Sequence, residues 1–249
     1  VFAKDLPPID ILVGGSPCQG FSFAGDQLAF DDPRSALFFE FVRLLKECKP
    51  KYFLLENVRM KKEFLDVITE QLGVEPVFIN SSLVSAQNRQ RYYWTNIPNI
   101  QEPEDRGLVL KDILEDSDWF TDRDKSHCLD ANYFKGGNLK SYFEKHRRQL
   151  VFNKPIQVGT ADIKGFDIIK RVYSPEGKSP TLTTMQGGHR QPKVAEDETR
   201  WRKLTPLECE RLQTVPDNYT EGVSNTQRYK MLGNGMTVEV IKHIFRSIL

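Results

Sequence analysis

Two rhythms of apolar residues alternate along the N-terminal part of this chain. Ile9-Asp10-Ile11-Leu12-Val13 is a short apolar run entering Gly14-Gly15, the pattern of a buried strand that leads into a loop. Asp32-Pro33 reads as a helix N-cap and first helical position. Leu37, Phe41, Leu44, Leu45 and Cys48 follow at helical spacing, and Lys49-Pro50 stops the helix. Tyr52-Phe53-Leu54-Leu55 is a second apolar run, ending at Glu56-Asn57. The pattern then predicts a helix from about Lys61 to Leu72, a strand near Pro76 to Leu83 and another at Tyr92 to Asn96. Strands alternating with helices predict a mostly parallel α/β sheet. Ligands in such sheets sit beyond the carboxyl ends of the strands. Cys18 and Glu56 both fall just past such ends.

The rhythm fades between Ile97 and Val194. Asp112, Glu115, Asp116, Asp118, Asp122 and Asp124 form an acidic stretch, followed by Gly136-Gly137 and the basic cluster Lys145-His146-Arg147-Arg148. Turn residues are frequent there, which predicts a separate small lobe, irregular or β-rich. After Trp201 helical signals return: Thr205-Pro206-Leu207-Glu208 and Ser224 with Gln227 are capping boxes. Gly233-Asn234-Gly235 is expected to break the chain, and Val240, Ile241, Ile244, Phe245 and Ile248 line one face of a last helix. Three segments result, 1–96, 97–199 and 200–249.

Composition narrows the class. The chain has 249 residues, 39% of them hydrophobic, with 35 Lys and Arg against 34 Asp and Glu, a net charge of +1. That balance suits a globular protein and excludes a disordered tail. No apolar run approaches the ~18 residues of a membrane span, and the start lacks the basic and apolar regions of a signal peptide. Cys18, Cys48, Cys128 and Cys209 are scattered, without a C-x-x-C pair, and only His127 of the four histidines adjoins a cysteine. Free thiols in a reducing, cytoplasmic compartment and the absence of a metal site are the expectations.

The sharpest segment is Gly14-Gly15-Ser16-Pro17-Cys18-Gln19-Gly20-Phe21-Ser22. A cysteine in a loop shaped by Gly and Pro at a strand end can be presented as a nucleophile, provided its thiol ionises. Alone, such a cysteine is more often structural. Glu56 alone would be a carboxylate at a helix start, Arg89 and Arg91 solvated charges, and Asn234 a turn residue. In order along the chain, however, stand Pro17-Cys18, Glu56-Asn57-Val58, Gln87-Asn88-Arg89-Gln90-Arg91, Arg171-Val172-Tyr173 through Ser179-Pro180-Thr181-Leu182-Thr183, and Gly233-Asn234-Gly235-Met236 after Leu204-Thr205-Pro206-Leu207-Glu208. This ordered set resembles the motifs of the DNA cytosine-5 methyltransferases.

The resemblance implies a Rossmann-like sheet of the S-adenosylmethionine-dependent methyltransferases with a smaller target recognition lobe. Residues 1–96 would then be catalytic, 97–199 the recognition segment and 200–249 a helical return to the catalytic domain. It implies S-adenosyl-L-methionine as cofactor and double-stranded DNA as partner. Cytosine C5 is a poor nucleophile; addition of the Cys18 thiolate at C6 makes it enamine-like. Glu56, protonated or sharing a proton, would hydrogen-bond N3. Arg91 would hold O2 and orient Glu56, and Arg89 would assist or touch phosphate. The base must be flipped from the duplex. Pro17, Asn234, Met236 and Val238 are the expected cofactor contacts. Gln87, Arg89, Arg171, Gly187, Gly188, His189 and Arg190, with the cluster Lys145 to Arg148, are the expected DNA contacts.

The same resemblance exposes a gap. The family's cofactor site begins with a strand, a Gly-rich turn and a helix ahead of the Pro-Cys loop, and nothing of that pattern precedes Gly14 here. The expectation is a fragment, or one half of a split enzyme completed by a second polypeptide and monomeric when complete. The strand at Ile9 to Val13 would then be an apolar edge with exposed hydrophobic surface. Two other functions remain open: methylation of tRNA by the same chemistry, and a non-catalytic DNA-binding subunit. A bacterial or phage-infected cell is the expected setting.

Overall fold

A computed structural model of the chain describes residues 2–15, 36–137, 139–153, 157–160, 171–173 and 201–248. It divides into two units, Val1–Leu108 with Met236–Leu249, and Val109–Gly235.

The first unit is built on a mixed sheet. Ile11–Gly15 (β1) pairs in parallel with Tyr52–Val58 (β2). Gln90–Thr95 (β4) pairs antiparallel with both β2 and Val77–Asn80 (β3), giving the order β1-β2-β4-β3. The expected strands are present, but the mostly parallel arrangement is corrected. Only residues 81–89 separate β3 from β4, fewer than the dozen or so a parallel crossover requires.

Two helices, Ala36–Cys48 (α1) and Lys62–Leu72 (α2), cover one face of the sheet. There Phe38, Phe41, Val42, Phe64 and Ile68 pack on Phe53, Leu55 and Trp94. The buried indole of Trp94 donates to Thr69 Oγ1 at 3.0 Å, as a buried ring N–H must find an acceptor. Leu37, read as part of the inner stripe of α1, is exposed, and Phe38, Phe41 and Val42 are buried instead. Ala36-Leu37-Phe38-Phe39 is apolar all round, so spacing alone does not fix the inward face. Lys49 closes α1 with φ +46°, ahead of Pro50, whereas Gly73 closes α2 in the left-handed region, its N–H donating to Thr69 O. The start expected at Asp32-Pro33 lies outside the described residues.

Val238–Phe245 (α6) covers the opposite face, where Val240 and Ile244 pack on Leu54, Ile79 and Tyr93. Buried on both sides, β2 shows the continuous apolar run of a central strand. On its far side β1 is paired only with β2 among the described strands, and Ile11 and Val13 are 38% and 44% exposed. Residues 97–108 belong to this unit because Arg106 N–H donates to Leu83 O and its guanidinium pairs with Glu239 at 2.5 Å. This contact-based division therefore differs from boundaries at 96/97 and 199/200.

The second unit holds short elements: Leu139–Lys145 (α3), Leu150–Phe152 (β5) paired antiparallel with Trp201–Lys203 (β8), and an antiparallel pair of Gln157–Thr160 (β6) and Arg171–Tyr173 (β7). The helix α3 was not foreseen. Pro206–Leu212 (α4) starts with the complete capping box of Thr205 and Glu208. Asn225–Asn234 (α5) has only half a box, with Ser224 accepting from Gln227 N–H. The break expected at Gly233-Asn234-Gly235 is present: α5 runs through Asn234 and ends at Gly235, and α6 begins at Val238. Gly233 serves close approach: a Cβ there would lie 2.5 Å from the backbone nitrogen of Ala131.

Candidate active site

The parallel register sets Gly15, the last residue of β1, beside Glu56. Glu56 lies inside β2, two residues before its end rather than past it as expected, because Asn57 and Val58 extend the strand. Neither Gly14 nor Gly15 has a positive φ; only Gly14 is needed for space. A Cβ at Gly14 would meet Phe41 Cδ2 at 2.6 Å, so α1 approaches β1 only over glycine. A Cβ at Gly15 would lie 3.5 Å from both Glu56 Oε2 and Met236 Cε. The glycine thus leaves a small cradle between a carboxylate and a thioether.

Glu56 is held from the neighbouring strand. Arg91 Nε lies 2.8 Å from Glu56 Oε1, and each side chain is only 12% exposed. Arg91 is further fixed by donation from Nη1 to Gln90 O at 2.8 Å. Tyr93 stands directly across from Glu56 in the antiparallel register. Burial first and the Glu56 charge second push the Tyr93 hydroxyl well above its ordinary pKa, so it stays protonated. Strand alternation could have placed Tyr93 here, because it stands two residues from Arg91.

The turn between β3 and β4 is tied down by Asn80. Its Oδ1 accepts from the N–H groups of Ser82 (3.2 Å) and Arg89 (3.1 Å), and its amide donates to Asn88 Oδ1. Within that turn Gln87 and Arg89 are buried. Ser81 Oγ and Thr237 Oγ1, both buried, lie 3.0 Å apart and fasten the turn to the start of α6. Asn80, Ser81 and Thr237 were missed in the sequence, where hydroxyl and amide residues in turns carry no distinctive pattern.

Of the remaining candidates, Met236 borders the Gly15 cradle, Val238 is exposed at the first position of α6, and Asn234 is exposed at the end of α5 in the second unit. Arg171 opens β7, of which only the backbone is described. Pro17, Cys18, Gly187, Gly188, His189 and Arg190 lie outside the described residues. In the basic cluster, Arg147 pairs with Asp130 at 3.4 Å and Arg148 donates to Gly136 O at 2.7 Å.

A paired, nearly buried carboxylate near the carboxyl end of a central strand suits acid–base work. The family model of the C-5 cytosine-specific DNA methylases matches residues 2–249. The chain belongs to this family. It is 27% identical to an orphan methyltransferase of Bacillus phage rho11s, over 99% of this chain and 86% of that protein. It is 32% identical to the type II methyltransferase M1.ScrFI of Lactococcus lactis subsp. cremoris, over 99% of this chain and 64% of that protein. A solved Entamoeba histolytica methyltransferase shares the fold, with a TM-score of 0.62 at 18% identity, covering all of this chain and 81% of that one.

Family membership makes S-adenosyl-L-methionine the cofactor of this methylase. The cradle left by Gly15 between Glu56 and Met236 fits one edge of such a group, with a polarizable thioether as neighbour. Among the described residues no cluster of His, Cys, Asp and Glu is arranged to hold a metal, and no helix is long and apolar enough to cross a membrane. Cys48 and Cys209 are free thiols, and Cys128 Sγ donates to Leu129 O at 3.4 Å.

Proposed function

We propose that this methylase modifies C5 of a cytosine flipped out of duplex DNA within a short specific sequence, with Cys18 as the nucleophile. The observation that carries this reading is the Glu56–Arg91 pair near the strand end, beside Gly15. The Cys18 thiolate adds to C6, and the electron pair of the 5,6 double bond moves towards N3 and O2. Glu56, carrying or sharing a proton, gives the hydrogen bond to N3. Arg91 holds Glu56 through Nε and can direct its guanidinium at O2. The bound cofactor supplies an electrophilic methyl group on a sulfonium centre. Once C5 is methylated, loss of the C5 proton to a base and expulsion of the Cys18 sulfur restore the ring and the nucleophile.

Met236 and Val238, with Pro17 and Asn234, border the cofactor. Arg171 and Gly187, Gly188, His189 and Arg190 face the DNA. The burial of Gln87 and Arg89 favours a role in shaping the turn that presents Arg91. The exposed edge of β1 is continued by further strands, from the rest of a longer chain or from a second polypeptide, and these hold most of the cofactor; exposed Ile11 and Val13 support this. The setting is the cytoplasm of a bacterium or a phage-infected cell.

The test is transfer of labelled methyl groups to duplex DNA or to tRNA, with and without the β1-flanking strands supplied in trans. Label in duplex cytosine that disappears in Cys18→Ala and falls steeply in Glu56→Gln is the expected result. Label in tRNA alone, or label indifferent to Cys18, would overturn it.

A further inference from the structure

The second unit gathers three lysines from separate elements at Phe134, two by its ring and one at its backbone carbonyl. Lys230 Nζ, on α5, lies 5.6 Å from the centre of the Phe134 ring, and Lys135 Nζ lies 5.9 Å from it. Lys203 Nζ, on β8, donates to Phe134 O at 3.0 Å and sits 4.3 Å from the Tyr229 ring. Five arginines of this unit are treated differently. Arg123, Arg147, Arg202, Arg211 and Arg228 pair with Asp122, Asp130, Glu208, Asp217 and Glu210. Lys135, Lys203 and Lys230 have no carboxylate partner among the described residues, only ring faces and a carbonyl. In a chain whose net charge is +1, three like charges held together without a counter-ion among the described residues form a local positive field that favours an anion.

We propose that Lys135, Lys203 and Lys230 form a contact surface for the phosphate backbone of the duplex. The reading rests on duplex DNA being the substrate. Ammonium groups are suited to this role: they act as point charges on phosphate oxygens and read no base edge, so they position the duplex without specifying sequence. The rings of Phe134 and Tyr229 lie against the ammonium groups themselves, which holds the charges in place without neutralising them. The surface adjoins the basic cluster foreseen in the sequence, of which Arg148 donates to Gly136 O next to Lys135 and Arg147 pairs with Asp130.

The test is the salt dependence of duplex binding, followed by fluorescence anisotropy with the full chain. Each phosphate contact contributes about 0.9 to the slope of log affinity against log salt. Lys135→Gln/Lys230→Gln, both at exposed positions, should lower that slope by about 2, and adding Lys203→Gln by about 3. The double variant should then lose roughly tenfold less affinity than the parent between about 50 and 200 mM salt. The weakening should be equal for every duplex sequence, and Lys135→Arg/Lys230→Arg should retain the parental slope. An unchanged slope in the double variant, with an unchanged melting temperature, overturns the proposal, as does a parent chain that binds no duplex. A parent chain that binds duplex but transfers no methyl group would instead fail the catalytic reading, and the slopes would still decide the lysine surface.

Discussion

Ser81 and Thr237 face each other in a fully buried hydroxyl pair, 3.0 Å apart, joining the turn ahead of Arg91 to the first residues of α6. Thr237 is the N-cap residue of α6, yet its side chain makes no capping bond to the helix. Its hydroxyl serves the tertiary contact. Removing one partner takes a buried hydrogen bond from the other. Ser81→Ala or Thr237→Val should therefore each cost about 1–3 kcal/mol in denaturant unfolding. The double variant should cost clearly less than their sum, and full additivity would show that the hydroxyls do not interact.

Gly233 is required by space. A Cβ at this position would press on the backbone of Asp130 and Ala131, which cannot swing aside as a side-chain tip can. Gly233→Ala should lower stability by about 1–3 kcal/mol. Gly73, with φ +69° and open space around it, should lose only about 1 kcal/mol as Ala, from backbone strain alone. Equal losses in thermal melts would contradict the distinction.

The sheet edge offers a test of self-association. Exposed Ile11 and Val13 on β1 form an apolar edge of the kind that recruits other strands. Val13→Lys should reduce concentration-dependent aggregation in light scattering without altering the fold, whereas the same change at exposed Phe78 on β3 should have less effect.

Acid sensitivity centres on His127. Burial first and Arg123 second push its pKa down to about 4, partly offset by Asp122. The folded value lies below the ordinary 6.5, so the unfolded chain binds the proton more readily between these limits. Stability from this group is complete above pH 6.5 and is lost as pH falls towards 4. His127→Gln should flatten the dependence of melting temperature on pH within that window. An unaltered dependence would mean that other groups govern it.

Much of this architecture was legible in the sequence. The apolar runs of β1 and β2 and the spacing of α1 and α2 place Glu56 near a strand end, and the ordered motifs point to the family. Strand direction was not legible: a periodic pattern marks Val77–Asn80 and Gln90–Thr95 as strands but says nothing of their orientation, which the short turn at 81–89 settles. The break at Gly233-Asn234-Gly235 was legible, but not the separate duties of its glycines: Gly235 ends α5, whereas Gly233 stays helical and makes room for the Asp130–Ala131 backbone. The Arg91–Glu56 pairing was foreseen through the resemblance, whereas Tyr93 and the Ser81–Thr237 pair depend on register and on contacts between distant segments.

Covalent trapping tests the central claim most directly. The chain, with its β1-flanking strands supplied, would be incubated with S-adenosyl-L-methionine and duplex DNA carrying 5-fluorocytosine, then run on a denaturing gel. Fluorine at C5 prevents the final elimination, so the sulfur–C6 bond persists. The account predicts a shifted, methylated protein–DNA band that is absent in Cys18→Ala and much weaker in Glu56→Gln. No shifted band, or one that survives Cys18→Ala, would contradict it.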